Sequence, residues 1–103
     1  MSDAKIRAEQ LIRENGVVVF SKSYCPYCTS SKKVLDNLGA KYEVLELDQD
    51  AEGSAIQAAL EEISKQRTVP NIFINQKHIG GNSDLQAIKS SQLPALLKEA
   101  GAL

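Results

Sequence analysis

The chain has 103 residues, 43% hydrophobic and 24% charged, with a formal net charge of −1. That is enough for one domain with a modest core, and the near-neutral balance gives no general pull toward nucleic acid or an anionic membrane. The longest apolar run is four residues, too short for a membrane span or a secretory signal core, and Met1-Ser2-Asp3-Ala4-Lys5 lacks the Arg-rich, acid-free character of a transit peptide, so a single domain over 1–103 in the cytoplasm is expected.

Asp3 to Asn15 reads as a first helix, with Ile6, Leu11 and Ile12 toward the core and Gly16 as its stop. Val17-Val18-Val19-Phe20-Ser21 follows as a buried strand, on its β-branched character. A helix then begins near Pro26, whose missing N–H and fixed φ suit a first helical position. It carries Ser31, Val34, Leu35 and Leu38 on one face and ends at Gly39. Tyr42 to Leu47 alternates apolar and acidic residues over part of its length, as expected of an edge or half-covered strand. Strand–helix–strand in that order implies a parallel, right-handed crossover. After the polar Asp48 to Gly53, a helix to about Ser64 places Ile56, Ala59, Leu60 and Ile63 on one face. Thr68-Val69-Pro70 leads into the strand Asn71-Ile72-Phe73-Ile74, a turn at Asn75-Gln76-Lys77 and a short return strand, His78-Ile79. Gly80-Gly81 breaks it. Asn82-Ser83-Asp84 is a candidate cap for a short helix to Lys89, and a last helix over about Ser91 to Ala100 carries Leu93, Leu96 and Leu97 inward, with Pro94 in its first turn. The pattern predicts an α/β fold: a four-stranded mixed sheet flanked by about five helices.

The chemistry is concentrated in Cys25-Pro26-Tyr27-Cys28, where the first strand hands over to a helix. Cys25 is placed at the helix mouth and Cys28 in its first turn. Unpaired amides and the positive end of the helix dipole converge on the Cys25 sulfur and favour a thiolate there. Lys22 adds a cation, weakened by solvent screening, so the fixed amides are expected to matter at least as much. Cys25 is the expected nucleophile. A structural disulfide closing so short a loop would contribute only about 2 kcal/mol. A closed zinc site needs about four ligands, and beyond two cysteines the chain offers only His78 as a nitrogen donor. A strand–C-x-x-C–helix arrangement in a reducing compartment reads instead as a redox dithiol.

Cys25-Pro26-Tyr27-Cys28, then Thr68-Val69-Pro70, then Gly80-Gly81-Asn82-Ser83-Asp84, at these separations, closely resemble the dithiol glutaredoxins over nearly the whole chain. General thioredoxins differ, typically carrying Trp-Cys-Gly-Pro-Cys, and this chain has no tryptophan. The resemblance implies the thioredoxin fold and glutathione as co-substrate. It implies glutathionylated proteins and small mixed disulfides as partners, a monomer, and no metal. It also implies that Cys25 attacks and Cys28 resolves. For the two carboxylates and one ammonium of glutathione, Lys22 with Gln57, and Arg67 as a further candidate, resembles the family's contacts for the glycine-end carboxylate. Val69, before a Pro70 that the family holds in cis, resembles the residue whose backbone pairs with the cysteine moiety. Gly81, Asn82 and Ser83 offer amides to the other carboxylate, Asp84 is placed for the ammonium, and Tyr27 forms a wall of the groove. Pro26 and Lys22 are expected to support the thiolate.

Plainer roles compete with several of these. Gln57 with Ser54, and Gln86 with Ser83, fit capping boxes; Asp84 fits a first-turn acid favoured by the dipole. Arg67 fits a solvated base, Tyr24 rim packing, and His78 an exposed residue at a turn end. In the family the position of Asn82 is often a cysteine; here the Cys25–Cys28 pair is left as the only thiol chemistry. Two other functions share the framework. One is a glutathione-dependent iron–sulfur module, which generally has Gly or Ser where Pro26 stands. The other is a thioredoxin-like reductase fed by a flavoenzyme.

Overall fold

The computed structural model describes residues 3–103; Met1 and Ser2, part of the domain and the N-terminal stretch read above, lie outside the described residues. The elements are α1 (Asp3–Glu14), β1 (Val17–Ser21), α2 (Pro26–Asn37), β2 (Glu43–Glu46), α3 (Gly53–Ser64), β3 (Asn71–Ile74), β4 (Lys77–Gly80), α4 (Asn82–Ile88) and α5 (Leu93–Glu99). The sheet order is β2-β1-β3-β4, with β1 parallel to β2 and antiparallel to β3, and β3 antiparallel to β4. This is the four-stranded mixed sheet with five helices that the pattern predicts.

All five residues of β1 are buried because helices cover both sides of the sheet. Alternate side chains then feed two cores. Val18 and Phe20 join Ala4, Ala8 and Ile12 of α1, Ile56 and Leu60 of α3, and Phe73, which meets Phe20 edge-on with ring centroids 6.0 Å apart. Val17 and Val19 join Leu35, Ile72, Ile74, Leu85, Leu93 and Leu97 on the other side. The half-buried β2 lies at the sheet edge, as its acidic alternation implies.

The structure departs from the pattern at Ile6, at the hairpin turn, at Gly80 and at two helix caps. Ile6 is 47% exposed, and α1 packs through Ala4, Ala8 and Ile12 instead: the contact line is filled by two alanines and one isoleucine, and Ile6 falls outside it. The hairpin turn is Asn75-Gln76, both at positive φ (51° and 67°), and Lys77 already pairs with Ile74. That is the primed two-residue connection whose twist matches the strands. Gly80 extends β4 rather than breaking it, and α4 is capped from Gly81: the Gly81 N–H donates to Asp84 Oδ2 at 2.9 Å, and its carbonyl accepts from the Leu85 N–H at 3.1 Å. Neither Ser83 nor Ser54 caps a helix. The N-cap of α3 is Glu52, and no side chain bonds to it as a cap.

The register places the chemistry. Phe20 near the carboxyl end of β1 pairs with Asn71 at the start of β3, and Ile72 pairs with Gly80 at the end of β4. Cys25 after β1, Val69-Pro70 before β3 and Gly81 after β4 therefore emerge at one end of the sheet.

Away from that end, Arg7 of α1 forks onto Asp50 with bonds of 2.8 and 2.7 Å and reaches Glu52 at 2.9 Å, tying α1 to the entrance of α3. Arg7 first, then the Glu52 N–H, hold the Asp50 carboxyl down to about 2. Because this lies below the ordinary aspartate value of ~3.9, the stabilisation is complete above that value and is lost as pH falls through about 2. Asp50→Asn is expected to lower the urea midpoint at pH 7, with the gap to the parent protein closing in strong acid; a gap that stayed constant from pH 7 to pH 2 would exclude the ion pair as its cause.

Candidate active site

Cys25 is the N-cap of α2, in extended backbone (φ −87°, ψ 117°), with Pro26 opening the helix. The Cys25 N–H donates to the Lys22 carbonyl at 3.0 Å, closing a turn that brings the chain from β1 to the helix mouth. Ser23 fastens that turn: its N–H donates to Asp48 Oδ1 at 2.9 Å, and its hydroxyl donates to Asp48 Oδ2. These two bonds pull the Asp48 carboxyl below the usual carboxylate range, with a smaller contribution from the charge of Lys22. The Cys28 N–H donates to Cys25 Sγ at 3.3 Å, and Val69 O lies 3.9 Å from the same sulfur. Val69–Pro70 is the one cis peptide bond among the described residues.

The two thiols, identical in chemistry, occupy different surroundings. Both are free; Cys25 is half-buried and Cys28 fully buried. Burial first, then the hydrogen bond with Cys25, push the Cys28 thiol up, against smaller opposing contributions from Lys22 and Ser21. Cys28 is thus held as a neutral thiol under the sulfur that faces solvent.

Two clefts meet over Val69. One, of about 480 Å³, is lined by Tyr27, Thr68, Val69, Pro70, Gly81, Asn82 and Ser83. The other, of about 520 Å³, is lined by Lys22, Tyr24, Cys25, Pro26, Gln57, Arg67, Thr68 and Val69. Nearly all of the expected site residues are brought together. Two line neither cleft: Cys28, buried behind Cys25, and Asp84, whose carboxylate folds back onto the Gly81 N–H. Gln57 is engaged locally as well, its amide donating to the Arg67 carbonyl at 2.9 Å, and Arg67 pairs with Glu61 at 3.2 Å. Tyr24 and Tyr27 stand 71% and 68% exposed on either side of the dithiol, as walls rather than core. His78 is exposed just past the turn, as expected, and lies in β4, where its Nε2 is 3.1 Å from Gln66 Oε1 and its ring 5.2 Å from that of Phe73. Among the described residues no group of three or more His, Cys, Asp or Glu could hold a metal ion, and no helix is long and apolar enough to cross a membrane.

A family model for glutaredoxin matches residues 17–79, which span the dithiol, the Val69–Pro70 loop and most of the sheet. The chain belongs to the glutaredoxin family. A glutaredoxin from Ricinus communis is 58% identical over 101 residues, covering 97% of this chain and 99% of that one. Glutaredoxin-C6 of Oryza sativa subsp. japonica is 48% identical over 97% of this chain and 90% of its own. Among solved structures, a buckwheat glutaredoxin–glutathione complex superposes with a TM-score of 0.94 at 50% identity, over 97% of this chain and 92% of that chain. The protein is an oxidoreductase of the glutaredoxin type on the thioredoxin fold.

Several residues that shape this glutaredoxin site were not singled out from the sequence. Ser31, expected only as part of the buried face of α2, donates from its hydroxyl to Asn82 Oδ1 at 2.9 Å. Gln86 reaches both Asn82 Oδ1 (3.3 Å) and Ser30 Oγ (3.1 Å), so α2 and α4 are joined beneath one cleft. A polar residue in an apolar stripe was the available signal for Ser31. Asp48, the first polar residue after a strand, gave none.

The contrast between the thiols has a direct readout. A raised thiol ionises only at higher pH, so Cys28 remains unreactive at neutrality. Brief treatment of the reduced protein with iodoacetamide at pH 7 is expected to label Cys25 and spare Cys28 by peptide mass mapping, with Cys28 labelling appearing only at more alkaline pH; comparable labelling of both at pH 7 would refute the assignment.

Proposed function

We propose that this chain is a glutathione-dependent thiol–disulfide oxidoreductase that reduces glutathione mixed disulfides and protein disulfides, with Cys25 as nucleophile and Cys28 as resolving thiol. The observation that supports it best is the Cys25 sulfur: held at a helix mouth, bonded by the Cys28 N–H at 3.3 Å, and lining one of the two clefts that share Val69, whose carbonyl lies 3.9 Å from it. A ligand with an anion at each end and a sulfur between them matches that layout.

In this reading Lys22 and Gln57 hold the glycine-end carboxylate in one cleft, with Arg67 at its rim. The Val69 backbone, next to Pro70, pairs with the cysteine moiety. In the other cleft the Gly81, Asn82 and Ser83 backbone receives the second carboxylate and Tyr27 forms the wall. Asp84 meets the ammonium with the carboxylate oxygen not engaged by Gly81. The Cys25 thiolate attacks the glutathione sulfur of a mixed disulfide, forming a Cys25–glutathione disulfide and expelling the substrate thiolate, which takes up a proton. A second glutathione thiolate attacks the bound glutathione sulfur, giving glutathione disulfide and restoring the Cys25 thiolate. On a protein disulfide, the Cys25 thiolate forms a mixed disulfide with one substrate sulfur and expels the other as a thiolate; Cys28 then gives up its proton and attacks the Cys25 sulfur, expelling the remaining substrate thiolate, and two glutathione molecules reduce the resulting Cys25–Cys28 bond and leave as glutathione disulfide. The expected setting is a monomer in the reducing cytoplasm, where a free dithiol persists.

The protein is tested with a glutathionylated peptide and, separately, a protein disulfide, with glutathione as reductant. Cys25→Ser is expected to abolish both reactions, whereas Cys28→Ser keeps the first and loses the second; the opposite pattern would reverse the roles. Lys22 and the amides behind Pro26 favour the thiolate as nucleophile and as leaving group, but nucleophilicity falls as the thiolate becomes more stable, so the net benefit is in leaving. Single-turnover kinetics of Lys22→Ala should therefore show the return step with glutathione slowed more than the first attack; equal slowing of both would count against this role for the lysine.

A further inference from the structure

Between α3 and β3 the chain runs through Lys65 to Pro70, and Gln66 reaches forward beneath the whole of this loop. Its Nε2 donates to the Thr68 carbonyl at 3.1 Å and to the Pro70 carbonyl at 3.0 Å. A primary amide has two N–H groups, and both are used here, one on each carbonyl flanking Val69. With those carbonyls turned to Gln66, the polar groups left on the cleft side belong to Val69 itself. Its N–H has no partner among the described residues, and its carbonyl lies 3.9 Å from Cys25 Sγ.

Gln66 is fixed in turn. Its Oε1 is 3.1 Å from His78 Nε2, which the neighbouring strand β4 supplies, and the His78 ring rests against Phe73. Its main chain is pinned as well: the Gln66 N–H donates to Ser64 Oγ at 3.3 Å, and its carbonyl accepts from Asn71 Nδ2 at 3.4 Å. Asn71 is 1% exposed and also donates to Ser64 Oγ, at 3.1 Å. Rotating the Gln66 amide by half a turn would set its oxygen against both carbonyls and leave them without a donor, so one orientation satisfies every group. Neither Gln66 nor His78 lines either cleft.

We infer that Gln66, braced by His78, is a positioning residue: without touching the substrate it holds the Thr68 and Pro70 carbonyls back so that the Val69 backbone faces Cys25 as a ready-made partner for an extended thiol peptide. This rests on the glutathione reading and adds to it the device that sets the binding edge in place before substrate arrives, which removes an ordering cost from binding. Backbone pairing of that kind is made in the ground state and the transition state alike, so its loss raises KM and leaves kcat almost unchanged.

The test uses the full chain with a glutathionylated peptide, recording KM, kcat and the thermal midpoint together. Gln66→Glu keeps the shape and an acceptor for His78 but sets a carboxylate oxygen against two carbonyls; Gln66→Met removes the bonds. Both are expected to raise KM about five- to tenfold with kcat within about twofold. His78→Ala is expected to raise KM about two- to threefold, and His78→Gln, which restores an N–H toward Gln66 Oε1, to recover most of it. Unchanged KM in both Gln66 variants, or kcat falling at constant KM in step with lost folded protein, would overturn the inference. If Gln66→Glu and Gln66→Met do not fold, the two His78 variants decide by the same criterion. A parent protein inactive on the peptide would overturn the glutathione reading itself, a result distinct from an active parent whose variants keep its KM.

Discussion

A sulfur at the amino end of a helix is useful only if the helix cannot move away from it, and most of this structure holds that one junction in place. The Cys28 N–H reaches Cys25 Sγ at 3.3 Å because both ends of the intervening turn are fixed. On one side, the buried Cys28, Ser31 and Leu35 set α2 against the sheet. On the other, the Lys22 carbonyl and the Ser23–Asp48 bonds fasten the approach from β1 to the end of β2. At its far end α2 is closed by Gly39 at φ 74°, whose neighbour Ala40 donates back to the Leu35 carbonyl at 3.0 Å. The amides at the mouth are thus oriented before any substrate arrives, and preorganised dipoles need not reorganise as charge moves onto or off the sulfur.

The same junction separates two residues that the C-x-x-C pattern leaves equivalent. One helical turn puts Cys28 under the protein surface and leaves Cys25 at it. Burial penalises the charged form of Cys28, so it stays a thiol while its backbone N–H supports charge on its neighbour. In the proposed reaction a resolving thiol needs this restraint: reacting too early, it would divert every mixed disulfide into the internal disulfide. The two thiols are therefore made unequal by packing.

What the sequence made legible follows the range of the forces involved. β1 and α2 were readable because period, β-branching, Pro26 and Gly39 all act within a few residues, and the parallel crossover followed from element order. The failures lie where a distant partner decides. Ile6 fits the inward stripe of α1 by spacing, yet the sheet admits alanine at the contact. Ser83 with Gln86 has the form of a capping box, but the β4 strand ends so that Gly81 and Asp84 take that role. Gln66 and Asn71 carry no period at all. Their bonds link residues in α3, a loop and β4, and only the folded chain brings those acceptors within reach.

Seen from Val69, the two walls of the groove are anchored to different bodies. One belongs to the redox helix: Ser31 and Gln86 lock Asn82 to α2, so the amides at the start of α4 move with Cys25. The other belongs to the sheet, through Asn71 and the His78–Gln66 brace. A ligand that bridges both walls must match a distance fixed by how α2 packs on β1, in other words by Leu35 and Ser31 against Val19 and its neighbours. Close-packed interiors resist small displacements, so the buried residues of α2 set the span of the groove as firmly as the residues that line it. Substrate fit at the surface is in this sense a property of the core.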